Sequence, residues 1–109
     1  RDLDRAELYA SIATAANAGN ATFLDTYAWI FFKKKDYKKA REIIDQALEA
    51  FEKEEHENDN GEIYNHAGDI YFMSGNPAEA VEFWGKALEL DPDNERIRRK
   101  HTNRAYFYE

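Results

Sequence analysis

GEIYNHAGDIYFMSGNPAEAVEFWGKALELDPDN, residues 61–94, reads as one complete helix-turn-helix unit with a separate signal at each boundary. Tyr64, Ala67, Gly68 and Tyr71 recur three and four residues apart, which lays them along one face of a helix. That helix stops at Gly75, the residue type best able to take the left-handed conformation that ends a helix. A second helix starts at once. Asn76 suits the cap, Pro77 suits the first helical turn, and Glu79 stands where a capping box needs its acid. Ala80, Phe83, Trp84, Ala87 and Leu88 then keep helical spacing until Asp91-Pro92 interrupts it. Small Gly68, Ala80 and Ala87 among large aromatics predict that the two helices cross closely, with the large side chains filling the gaps beside the crossing.

The same stretch resembles a tetratricopeptide repeat, a 34-residue unit with the pattern W-x2-L-G-x2-Y followed by A, F, A and P at set distances. Tyr64, Ala67, Gly68, Tyr71, Ala80, Trp84, Ala87 and Pro92 fall on that pattern, with Tyr64 in place of Trp, Ala67 in place of Leu and Trp84 in place of Phe. Residues 21–54 form a second unit of the same kind, with Leu24, Tyr27, Ala28 and Phe31 on its first helix and Ala40, Ile44, Ala47 and Leu48 on its second. Registering Ala40 on Ala80 separates the units by 40 residues, so six more than the family period must lie between them, and the polar run 53–60 is the place. Lys33-Lys34-Lys35 complements the negative end of the first helix, and Asp36 is a good cap for the next.

The flanks match in part. Residues 1–19 read as one helix aligned with the second helix of a repeat, Ala6 and Ala13 keeping the spacing of Ala80 and Ala87; it is a partial repeat or an N-terminal cap. With no first helix beside it, Leu8 or Ile12 is expected to lie exposed. Residues 95–109 read as a last helix running to about Phe107, with Ile97, His101 and Ala105 on one side and a polar remainder that suits a solvating cap. The resemblance implies a single all-α domain over residues 1–109, with tetratricopeptide-like hairpins stacked in a right-handed superhelix, as in bacterial proteins that bear this repeat.

Composition agrees with amphipathic helices and narrows the function. Of the residues, 43% are hydrophobic and 34% charged, enough of each to build a core and a solvated surface. No apolar run approaches the ~20 residues that span a bilayer, so no membrane insertion is expected, and the compartment stays open between cytoplasmic and periplasmic. There is no cysteine, so disulfides and thiolate zinc sites are excluded. The formal charge of −7 disfavours nucleic acid. From Glu95 to Glu109, however, five Arg or Lys stand against two Glu, so one end is basic.

No phosphate loop, nucleophile elbow or two-His helical metal motif is present, and neither catalysis nor a cofactor is expected. Glu62, His66 and Asp69 share a helical face at a spacing that suits a divalent metal, but a solvated polar face gives that pattern more often, and no metal site is assigned. The family fold implies that one face of each first helix packs on its partner while the other lines a concave surface. On this reading the free face comprises Asp25, Trp29 and Phe32 in the first unit and Asn65, His66, Asp69 and Phe72 in the second, extended by Arg99 and Asn103 on the last helix. Aromatic rings beside amides and charges suit a protein or peptide partner, rings giving contact area at low entropy cost and polar groups fixing register. The alternative use of the rings is to fill space between repeats. The family's clamp for a terminal carboxylate uses Lys and Asn where this chain has Asp25 and Trp29; an internal or basic segment is therefore the expected guest. The second class of function is an architectural or self-associating segment of a longer solenoid.

Overall fold

Helical spacing becomes helix throughout: the computed structural model describes residues 2–16, 20–53 and 61–106, and every regular element among them is an α-helix. The order is α1 (Asp2–Ala16), α2 (Ala21–Lys33), α3 (Tyr37–Glu52), α4 (Glu62–Met73), α5 (Pro77–Leu90) and α6 (Glu95–Asn103). The chain divides into two compact units, Arg1–Glu55 and His56–Glu109. Of the run 53–60 expected to hold the extra residues, 54–60 lie outside the described residues, as do 17–19 at the end of the first helix and 107–109 at the end of the last.

In the first unit α2 and α3 form a hairpin whose core is Leu24, Ala28, Phe31 and Phe32 against Ala40, Ile43, Ile44, Ala47, Leu48 and Phe51. Asn20 caps α2, its side chain accepting from the Thr22 and Phe23 amides at 2.9 and 3.3 Å. Asp36 caps α3 by accepting from the Lys39 amide at 3.2 Å. α1 packs on α2, and Lys34 Nζ bridges to it, 3.1 Å from Asp4 Oδ1 and 2.8 Å from Glu7 Oε2. These contacts raise the Lys34 pKa and lower that of Asp4. The outer face of α1 is open, with Leu8 58%, Tyr9 63% and Ile12 61% exposed.

In the second unit α4 and α5 form the matching hairpin around Ile63, Ala67, Ile70, Tyr71, Ala80, Trp84 and Ala87. Gly68 makes room for Trp84: a Cβ there would run into the indole, which is fully buried. Gly61 opens α4 in the left-handed conformation, and a Cβ on it would stand 2.8 Å from the Ala87 carbonyl oxygen.

Both hairpin turns are closed by the same two backbone bonds. Gly75 and Asn76 amides donate to the Phe72 and Tyr71 carbonyls at 3.2 and 2.9 Å, while Lys35 and Asp36 donate to Phe32 and Phe31 at 3.0 and 2.9 Å. The residue at the bend is left-handed in each case, Gly75 at φ 92° and Lys35 at φ 66°. The expected capping box at Asn76 is not formed. Asn76 holds the cap position without a side-chain hydrogen bond, and its own amide is given to Tyr71, which leaves Glu79 no cap N–H to receive.

The last helix is shorter and more buried than its sequence suggests. α6 ends at Asn103, where Arg104 turns left-handed at φ 55°. Asn94 caps it through the Ile97 amide at 3.2 Å, and the Arg98 guanidinium bonds the Pro92 carbonyl. Ile97 is fully buried, as expected, but Lys100 is only 3% exposed, so the polar side is not wholly a solvated one.

Candidate functional site

On α2 the helical spacing of Asp25, Trp29 and Phe32 becomes a ring platform. Trp29 and Phe32 lie three residues apart and stack with centroids 4.5 Å apart and planes within 13°. Phe32 is buried and meets Tyr37 edge-on at 5.5 Å, which fixes its ring; Trp29 is half-buried, with Lys33 Nζ 5.5 Å from its ring centroid. Asp25 is half-buried one turn before Trp29.

On α4 the corresponding positions hold a buried polar network. Asp69 is 2% and Asn65 6% exposed, and both meet Lys100 of α6. The ammonium lies 2.9 Å from Asn65 Oδ1 and 3.0 and 3.1 Å from the two Asp69 oxygens. Trp84 Nε1 donates to Asp69 Oδ1 at 3.1 Å, and Asn65 Nδ2 donates to Glu62 Oε1 at 3.0 Å. Such closure is what a buried charge requires, since a carboxylate without partners is too costly to bury. Burial pushes the Asp69 pKa up, opposed by Lys100 and then Trp84. Half-buried His66 places Nε2 3.0 Å from Glu62 Oε1, and this hydrogen bond, against the cost of burial, holds Glu62 down at about 2.

The nine residues singled out in the sequence therefore have different surroundings. Asp25, Trp29 and Phe32 are brought together on one helix. Asn65 and Asp69 lie beneath Lys100, and Phe72 tilts against Trp84 with centroids 5.9 Å apart. Arg99 and Asn103 are exposed on α6, where Asn103 Nδ2 donates to the Arg99 carbonyl at 2.9 Å. The metal spacing of Glu62, His66 and Asp69 is used for pairing, and among the described residues no group of three His, Cys, Asp or Glu is placed to hold an ion. Asp69 is compensated inside the unit by Lys100 and so adds no free negative charge to that face. Lys100 was missed because a lysine in a polar helix reads as solvated; its place three residues after Ile97, on the same face, is the signal that was available.

Two hairpins with buried small residues and the same turn define a helical-repeat protein. Residues 11–93 match the tetratricopeptide repeat family model, and the chain belongs to that family. Its fold resembles that of TTC0263, a thermophilic tetratricopeptide-repeat protein of Thermus thermophilus, with a TM-score of 0.75 and 22% identity, over 94% of this chain and 49% of that one. It is equally similar to YrrB, a tetratricopeptide-repeat protein with an unusual peptide-binding site, with a TM-score of 0.76 and 22% identity, over 92% of this chain and 48% of that one. The chain thus spans about half the length of these solved relatives. The family fold is that of a protein–protein interaction module. No helix of the described residues is long and apolar enough to cross a membrane.

Proposed function

We propose that this chain is a noncatalytic interaction module that binds a segment of another polypeptide through the face its first helices turn toward the family's concave surface. The observation that carries the reading is the stacked Trp29–Phe32 pair. Phe32 is locked in the hairpin core and holds a half-buried indole flat upon it, so the ring is positioned before any guest arrives and little rotamer entropy remains to be lost. Asp25 one turn away supplies a polar group to fix register. In the second unit the proposed contacts are His66, Phe72, Arg99 and Asn103, with Asn65 and Asp69 acting from below through Lys100. The peptide-binding site of YrrB is consistent with this use of the fold.

A peptide library selected on the full chain tests it. Trp29→Ala and Arg99→Ala should each weaken the selected peptides by about tenfold or more, the loss expected when a central ring or a charged contact is truncated. Equal affinity for wild type and both variants would remove these residues from the site.

A second reading, self-association, is favoured by α1. In the repeat register Tyr9 corresponds to Ile43 and Phe83, and Ile43 is buried in its hairpin while Tyr9 is 63% exposed. Light scattering at high concentration decides it: a dimer abolished by Leu8→Glu supports this reading, and a monomer removes it.

A further inference from the structure

The two hairpin turns close through the same backbone bonds but carry charge of opposite sign. Registering Ala40 on Ala80 sets Lys33, Lys34, Lys35, Lys38 and Lys39 against Met73, Ser74, Gly75, Ala78 and Glu79, so the turn itself needs no lysine. Local electrostatics accounts for two of the five. Lys33 lies in the last turn of α2, where a cation suits the helix dipole, and Lys34 is held by Asp4 and Glu7. The other three are placed against local preference. Lys38 and Lys39 stand in the first turn of α3, the positive end of that helix, where α5 has an acid, Glu79. Lys35 takes at φ 66° the left-handed bend that Gly75 takes without strain. The Phe31 ring, 5.9 Å from Lys39 Nζ, offsets part of this for one lysine only. Lys33, Lys35, Lys38 and Lys39 are all exposed, and like charges so close together repel one another. Stability of the hairpin does not explain the cluster, whereas an anionic partner does.

We propose that this basic tip and the Trp29 platform form one binding surface, whose occupant is an extended polypeptide segment with an apolar side chain on the indole and acidic side chains on the lysines. This rests on the interaction-module reading and names the chemistry of its guest in the first unit. Continuity of the surface carries it. Lys33 belongs to both parts, with its Nζ 5.5 Å from the Trp29 ring centroid and its backbone at the last position of α2 before the turn. Four residues of helix advance about 6 Å, a distance that an extended chain covers in about two residues, so the acids belong about two to four positions from the apolar residue. Only this side of Trp29 is basic, since Asp25 stands one turn away on the other. A membrane surface is the weaker occupant: no large apolar side chain between residues 33 and 39 is exposed, which leaves nothing to enter lipid.

Fluorescence anisotropy on the full chain tests this with a labelled Gly-Ser peptide that carries one Trp and, on one side of it, three Glu, made in both chain directions. One direction should bind saturably and about tenfold more tightly than its counterpart with Gln for Glu, and its affinity should fall as salt rises. Lys35→Gly combined with Lys38→Gln should lower that affinity about fivefold with the fold intact, because the same turn already holds glycine in the second unit. Lys53→Gln, beyond the opposite end of α3, should leave it unchanged. Trp29→Ala should lower it about tenfold. Equal binding of the Glu and Gln peptides, or affinity indifferent to Lys35 and Lys38, would overturn the acidic guest, and indifference to Trp29 would overturn the single surface. No binding of either peptide would overturn the assignment, and binding to phosphatidylserine vesicles in its place would give the tip to a membrane. Failure here with intact sensitivity to Trp29→Ala in peptide selection would leave the interaction-module reading standing, so the two are separable.

Discussion

Gly68 and Trp84 set the spacing of the second hairpin between them. The indole is fully buried and its Nε1 is tied to Asp69, so it cannot swing aside to admit even a methyl group. Alanine in place of glycine gains about 1 kcal/mol of helix propensity, whereas forcing an extra carbon into a packed core costs about 1 to 3 kcal/mol. Steric conflict should win at this position. Gly68→Ala is expected to lower the thermal midpoint in calorimetry, and an unchanged or raised midpoint would mean that the crossing is looser than its geometry. Glu62 gives a test by pH. Its folded value of about 2 lies below the ordinary 4.5, so its contribution is complete above pH 4.5 and is lost as pH falls through about 2. Asp69 shifts the other way, so its contribution is present below its ordinary 3.8 and is lost as pH rises through its folded value. Of these two carboxylates, Glu62 is the one whose contribution is lost in acid. Since Glu62 is half-exposed, its pairing with His66 is worth about 1 kcal/mol or less after screening. In urea titrations the stability gap between wild type and Glu62→Gln should narrow between pH 5 and pH 2.5; a constant gap would discount the pairing.

At the scale of elements, the two hairpins solve one turn with different residues. Gly75 takes the left-handed bend without strain, while Lys35 takes it against the contact of its Cβ with the backbone. That conformation costs a non-glycine residue about 1 to 2 kcal/mol, and glycine returns about 0.4 to 1 kcal/mol of this through the entropy of the unfolded chain. Lys35→Gly should therefore stabilise the first unit by about 0.5 to 1 kcal/mol, read as a higher urea midpoint at unchanged slope. A lower midpoint would show that Lys35 makes a contact worth more than the strain. Helix ends marked by glycine, Asn-Pro or Asp were legible in the sequence because each marker acts locally. The left-handed Lys35 was not, since its conformation is imposed by the closure of the hairpin rather than by its own preference. Half of the capping box at Asn76 is lost for a related reason, because the hairpin turn takes the amide that Glu79 would receive.

For the molecule as a whole, internal likeness was the most legible property. Registering Ala40 on Ala80 placed both hairpins, and the small residues at their crossings explain why one pattern recurs with different aromatics around it. Recognition residues were harder to read, because the positions a guest would use are also those where α6 lays Lys100. Asp69 and Asn65 looked like solvent-facing polar groups in the sequence, and only the placement of α6 shows them satisfied within the unit. Trp29 and Phe32 share a helical face in the sequence, but their stacking, and the place of Phe32 in the hairpin core, are seen only in the structure. The most direct test of the interaction reading is an NMR titration of the labelled chain with a library-selected peptide. Shifts concentrated at Trp29 and its neighbours on α2, and at Phe72, Arg99 and Asn103 in the second unit, are the predicted result; shifts confined to α1 or to the outer faces of α3 and α5 would contradict it.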